Sequence, residues 1–347
     1  MARLHTLLTR ALCATVLVPL LVGVAQAQQQ PSLGSLVPAW SAQGFWTGVV
    51  GDDDAGRIYA VGPRAVGVEF DAAGRKQREI PLPENAGSIV RLATLDADGS
   101  KALLTFGTWS HQLQAYRVDG KPLWNYPHDS GIDDVWAGDL DGDKVDEVVI
   151  GYNGDGGLHV LNGRSRVLWK TTDIANVWSV ATGRVLEGGE TQVLSTSANG
   201  NVHIFGDHAK ILRDFDLPIY ASLVRVGRVA ENDATARIFA AGSLLAAAAG
   251  QGETLVALAT DGTKQWSLPL SASAESGLAA PDRPWLALGL SSGVVNVVDL
   301  EHGRILATIE GQGMNPEVAW LKRPGPDGPL LLIATGEKLN AFNVRPK

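Results

Sequence analysis

The chain has 347 residues, with 37 acidic against 29 basic side chains and a net charge of −8. Such an acidic chain lacks the clustered Lys and Arg that phosphate backbones require, which excludes nucleic acid as a partner. Its only cysteine, Cys13, lies in an N-terminal leader. The remainder therefore has no disulfide, thiolate ligand or cysteine nucleophile, and its stability has to come from packing.

The leader is residues 1–27, with Arg3 and Arg10 near the start, an uncharged apolar run from Ala11 to Ala25, and small residues at Ala25 and Ala27. This is the pattern of a secretory signal peptide. The apolar run is about 15 residues, short of the roughly 20 that span a bilayer, so no membrane span is expected. Cleavage near Ala27 removes two positive charges, taking −8 to −10. It leaves a single domain, 28–347, expected as a monomer in the periplasm or outside the cell.

Beyond the leader the chain repeats. "LQAYRVDGKPLWNY" (Leu113 to Tyr126), "LHVLNGRSRVLWKT" (Leu158 to Thr171) and "LVALATDGTKQWSL" (Leu255 to Leu268) share one plan. An alternating strand enters an Asp-Gly or Asn-Gly turn, and a second strand follows with Trp124, Trp169 or Trp266 at its centre. Such turns are strong hairpin signals because both central residues must tolerate positive φ. Val294 to Thr308 and Val202 to Phe215 are weaker copies, and each hairpin follows a short apolar strand that ends in Gly, as in "DEVVIG" and "ALLTFG".

Units then begin near Phe45, Ser88, Asp133, Val177, Ser222, Glu275 and Pro316, each with about four short strands. A repeat of this length points to a propeller. The last unit stops after a third strand, and "SLVPAWSA" (Ser35 to Ala42) reads as a lone fourth strand with Trp40 in the place of Trp124. The expectation is an all-β, seven-bladed β-propeller closed by its N-terminal strand, which leaves no exposed sheet edge. The long fifth unit, with "SLLAAAAGQGE", leaves six or eight blades as alternatives.

"GDLDGDKVDEVVIG" (Gly138 to Gly151) is the densest candidate site. Asp139, Asp141 and Asp143 alternate, Val145 offers a backbone carbonyl, Glu147 supplies a carboxylate at the ninth position, and Gly142 permits the tight turn. Calcium takes six to eight oxygen ligands, and a loop with alternating carboxylates wraps one ion. The competing reading is a solvated turn. "LDADGSKALLTFG" and "GDDDAGRIYAVG" are degenerate copies, which suits a structural calcium ion in one blade.

The Asp-Gly-x-x-x-Trp hairpins resemble the tryptophan-docking repeats of the pyrroloquinoline-quinone-like propeller superfamily, and the acidic loop resembles the calcium loop of FG-GAP and VCBS repeats. Together these resemblances cover nearly all of the chain after the leader. They imply architecture more than activity, since the superfamily includes quinone-dependent dehydrogenases and a non-enzymatic assembly lipoprotein. The cysteine pair and haem motif of the dehydrogenases, and the lipobox cysteine of the lipoprotein, are missing here. The resemblance also implies that Trp40, Trp124, Trp169 and Trp266 pack between blades.

Trp46, Trp136, Trp178 and Trp320 read instead as first-strand residues lining the central channel, with Arg91 in the place of Trp136. Indoles with a guanidinium suit sugar faces or an extended peptide, although packing between innermost strands is the simpler reading. His159 and His203 share a third-strand register with Gln114, Asn296 and Asn340, which argues for blade packing over metal binding. No His-Glu-x-x-His or phosphate loop occurs.

The expected function is a non-enzymatic module that binds a glycan or protein. The alternatives are a carbohydrate-active enzyme, lyase or hydrolase, and a quinone-dependent dehydrogenase. An Arg-Lys cluster beside an ion at a channel mouth would favour the enzyme.

Overall fold

The computed structural model describes residues 33–63, 66–230, 236–245, 252–325 and 327–347. The leader expected at 1–27, and part of the insertion in the fifth unit, lie outside these residues. Among the described residues, seven four-stranded antiparallel sheets make up the fold, which is all-β apart from two single 3₁₀ turns. Seven blades are thus observed, and the alternatives of six and eight fall away.

Strand order within six blades follows the chain from the axis outward. The innermost strands are Gly48–Asp52, Ile89–Thr94, Ile132–Gly138, Val180–Gly183, Ile219–Gly227, Ala274–Ala279 and Glu317–Leu321 in blades 1 to 7. The seventh blade takes its outer strand from the N-terminal segment Gly34–Gln43, which pairs with Lys338–Pro346 and sets Trp40 opposite Ala341. That strand is the closure expected from the position of Trp40.

Sequence periodicity follows position in the blade. Second strands such as "ALLTF" and "LLLIA" are buried along their length, because other strands pair at both edges and neighbouring blades cover both faces. Outer strands such as "KQREIP" and "PLWNYP" alternate or are polar, since one edge and part of each face meet water. Glycine ends the second strand where backbones pass closely: a Cβ on Gly289 would strike the carbonyl oxygen of Pro316 in the next blade.

The apolar core is divided into seven seams, one between each pair of neighbouring blades. Val149, Val160 and Phe205 belong to the seam of blades 3 and 4. Phe70, Val49, Leu321 and Leu332 join blade 1 to blade 7. The apolar side chains are thus spent between blades, and charged side chains reach the axis. Across three seams, the indole N–H of an outer-strand Trp donates to a carbonyl in the next blade: Trp40 to Ala72 at 3.0 Å, Trp124 to Gly163 at 2.9 Å and Trp266 to Leu300 at 3.3 Å. Trp169 packs on Phe205 of the next blade, with ring centroids 6.0 Å apart.

Candidate functional site

All innermost strands run the same way, so their first residues surround one mouth of the channel and their last residues the other. Between the mouths lies a lattice of ions, buried at Asp134 and Arg225 and partly buried at Arg91 and Glu317. Arg91 of blade 2 donates to Glu317 of blade 7 at 2.7 Å and to Asp134 of blade 3 at 3.4 Å. Arg225 of blade 5 donates to Asp134 at 3.2 Å, to Ser179 of blade 4 at 2.9 Å and to the Gly277 carbonyl of blade 6 at 2.6 Å. Asp134 also accepts from the Val135 and Val180 N–H groups and the Ser179 hydroxyl.

Trp136 lies within cation–π range of both guanidinium groups, 4.6 Å from Arg225 and 5.7 Å from Arg91. Burial disfavours the charge on Arg91, but Glu317 and Asp134 outweigh it and hold that group above its ordinary value. Burial wins at Arg225, whose carboxylate support is shared with Arg91, and its pKa falls.

Arg91 and Glu317 face two cavities. One, of about 300 Å³, lies on the axis and is lined also by Trp136 and Trp320. The other, of about 450 Å³, opens at the mouth where the innermost strands begin, among Asp133, Glu253, Glu275 and Trp178. Burial pushes Asp133 upward, and burial followed by the charge of Glu253 does the same to Glu275.

The opposite mouth, where the innermost strands end, holds a bowl of about 720 Å³. Its walls include Arg184, Arg228, Arg283 and Lys322, with Gly183, Gly227, Ala279 and Ala280 between them. Asp139 lines the same bowl, so the acidic loop forms part of its rim.

Within that loop, carboxylate oxygens of Asp139, Asp141 and Glu147 lie within 4.8 Å of one another. The turn forms because Asp139 accepts from the Gly142 N–H at 2.6 Å and the Lys144 N–H at 3.1 Å, with Gly142 at φ 87°. Glu147 accepts from the Leu140 N–H at 2.9 Å. Burial, and then the charges of Asp141, Asp143 and Asp139, push its pKa up to about 7. A buried carboxyl raised by three neighbouring acids fits a divalent cation, which would offset that repulsion. Asp139, Asp141 and Glu147 would hold it.

Asp143 stands outside this group, with one oxygen on the Val145 N–H at 2.7 Å. Nothing in the loop's hydrogen bonding draws on the Val145 carbonyl. Asp146, which the sequence reading passed over, anchors the loop by accepting from the Thr94 N–H of blade 2 at 2.6 Å.

Of the five channel residues expected from sequence, Arg91, Trp136 and Trp320 line the axial cavity and Trp178 lines the acidic mouth. Trp320 is nevertheless buried, donating to the Leu278 carbonyl at 2.8 Å. Trp46 is placed differently. It precedes the strand that begins at Gly48, and its ring meets Phe70 edge-on at 5.8 Å in the seam of blades 1 and 7.

Arg225, Asp134, Ser179 and Glu317 were missed by the sequence reading. One signal was present: a buried Val precedes Arg91, Trp136 and Arg225 alike, marking one inward-facing position in three blades.

His159 and His203 sit at their common third-strand register in neighbouring blades. His159 is 2% exposed and meets Tyr126 Oη at 2.9 Å, with the His128 and Tyr152 rings each 4.9 Å away. Burial, then His128, then Lys170 push it down to about 4. Among the described residues, the one convergent group of three acidic or histidine ligands is Asp139, Asp141 and Glu147.

Comparison with known proteins fits this architecture. A family model described as the lambda-carrageenase β-propeller domain matches residues 104–201, from the second strand of blade 2 to the turn before the third strand of blade 4. No curated protein matches the chain in sequence. Among solved structures, BBS1N in complex with ARL6DN, soaked with mercury, superposes with a TM-score of 0.62 at 14% identity, covering 89% of this chain and 97% of that one. The lead-soaked crystal of the same complex gives 0.62 at 16% identity, covering 90% and 97%. At such identities the likeness is one of fold. Among the described residues no helix is long and apolar enough to cross a membrane.

Proposed function

We propose that this chain is an exported, non-catalytic β-propeller that binds a glycan in the bowl where its innermost strands end, with calcium in the 139–147 loop shaping the rim. The observation that carries the reading is that the 720 Å³ bowl and the acidic loop share Asp139. A cavity of that size lies within the usual range for ligand sites. The stretch similar to the carrageenase propeller contains Asp139, Arg184 and Thr191 of the bowl, which supports a polysaccharide over a peptide. BBS1N, of similar fold, is in complex with a protein, so peptides belong in the test.

The experiment is a glycan and peptide array probed with calcium-loaded protein and with Ala230→Trp, which fills the bowl. The reading requires carbohydrate binding that this variant loses.

A second reading, a polysaccharide lyase or hydrolase, is favoured by one arrangement: Arg184, Arg228, Arg283 and Lys322 stand beside the acidic loop at a channel mouth. It predicts new reducing ends when array hits are incubated with the protein. The non-catalytic reading predicts none.

A further inference from the structure

We infer that the bowl is a polyanion site, in which Arg184, Arg228, Arg283 and Lys322 together hold the sulfate or carboxylate groups of an acidic polysaccharide. This rests on the proposed reading that the bowl takes a glycan, and it adds the ligand's charge.

One residue immediately follows each innermost strand, at the rim of this mouth. Around the ring these are Asp53, Leu95, Asp139, Arg184, Arg228, Ala280 and Lys322. Acids stand on blades 1 and 3 and cations on blades 4, 5 and 7, while Arg283 supplies blade 6 from three positions further along its loop. Ring closure thus gathers four cations from four consecutive blades into one cavity, against the two carboxylates of Asp139 and Asp282 that also line it. The chain as a whole carries net charge −8.

Two of the four have weak partners: Arg283 lies over the Trp285 ring at 5.9 Å, and Lys322 is attracted to Asp53, which accepts from its backbone N–H. All four are exposed. Among the described residues no carboxylate lies within ion-pair distance of any of them, whereas the arginines at the axis and those flanking Glu69 are paired. Unpaired cations lining a concave surface focus positive potential and draw anions to it.

The charges are spread over an arc of four blades and do not converge on one point. That spacing suits a ligand carrying a charge at intervals along its length, as a sulfated or uronate polymer does. Between the cations the lining of Gly183, Gly227, Ala279, Ala280 and Pro281 is short, which leaves room for a sugar chain to lie along the arc.

The test titrates the calcium-loaded full-length protein with dextran sulfate, with uncharged dextran and with polyglutamate. Dextran sulfate should bind, uncharged dextran should not, and raising salt from about 0.05 to 0.5 M should weaken binding about tenfold or more. Arg184→Glu with Arg228→Glu should reduce affinity by about tenfold or more. Arg164→Glu with Arg213→Glu, an equal change of charge on exposed outer residues, should leave it unchanged. Melting curves establish that the surface variants fold.

Equal weakening by both pairs, or no weakening by the first, overturns the inference. Uncharged dextran that binds and is blocked by Ala230→Trp overturns the charge assignment while the glycan reading stands. Polyglutamate binding without any carbohydrate binding overturns both, as does the absence of any binding.

Discussion

Arg225 Nη1 and Asp134 Oδ2 lie 3.2 Å apart at the channel axis, although 91 residues separate them in sequence. Through Ser179 and Arg91 the same carboxylate gathers blades 2, 3, 4 and 5, and Arg91 continues to Glu317 in blade 7. A buried ion pair contributes little net stability over an apolar pair, but deleting one partner strands the other charge. Asp134→Ala is therefore expected to cost about 3–5 kcal/mol in urea unfolding. Pairing it with Arg225→Met should recover a large part of that loss. A loss under about 1 kcal/mol for Asp134→Ala would mean that the lattice does not hold the ring together.

The His159 environment sets a pH dependence. Its folded-state pKa is about 4 against the ordinary 6.5, because burial disfavours the cation. The neutral ring is the folded form, so its stability contribution is complete above pH 6.5. It is lost as pH falls toward 4, where the unfolded chain takes up a proton that the folded one refuses. The full effect is up to about 3 kcal/mol. His159→Gln, the residue type found at Gln114 in the same register, should flatten the Tm-against-pH curve between 6.5 and 4. An unchanged slope would place the acid sensitivity elsewhere.

Glu147 gives the opposite dependence in calcium-free protein. Its pKa is raised to about 7, so stability is greatest below the ordinary value of 4.5 and declines as pH rises through 7. That decline amounts to as much as about 3 kcal/mol. Calcium requires the ionised carboxylate and should remove the decline. Millimolar calcium is expected to add about 1–2 kcal/mol near neutrality, raising Tm by a few degrees. Asp141→Ala should abolish that response. Identical melting of wild type in chelator and in calcium would show that the loop binds no ion.

Trp40 provides a test of ring closure. Its indole N–H donates to Ala72 at 3.0 Å, its ring stacks on Phe70 at 6.3 Å, and a Cβ on Gly74 would collide with it. Trp40→Ala removes a half-buried indole from the seam of blades 1 and 7 and is expected to cost about 3 kcal/mol. Trp40→Phe, which loses only the hydrogen bond, should cost about 1 kcal/mol. A cost as small for Ala as for Phe would mean that the seam does not depend on the ring.

How much of this was legible in sequence depends on how far apart the cooperating residues stand. Hairpins are local, so Trp124, Trp169 and Trp266 marked the blades, and Trp40, out of place by one unit, revealed the closing strand. Asp139, Asp141 and Glu147 span nine positions and were equally readable. Trp46 was misplaced because its strand begins two residues later, at Gly48, which turns its ring toward Phe70. Arg91 was found, but its partner Glu317 lies 226 residues away, a pairing that exists only once the ring is closed. The basic arc is the extreme case. Arg184, Arg228, Arg283 and Lys322 each look like ordinary surface residues, and only the topology brings them to one mouth.

On the proposed function, ligand binds in the bowl where the innermost strands end. Hydrogen exchange of the calcium-loaded protein, with and without the best carbohydrate hit from the array, locates the binding face directly. Protection is expected in 184–186, 227–230 and 280–285, with little change at 130–134 or in the outer strands. Protection confined to the acidic mouth around Asp133 and Glu275, or to the outer strands, would contradict the proposed function.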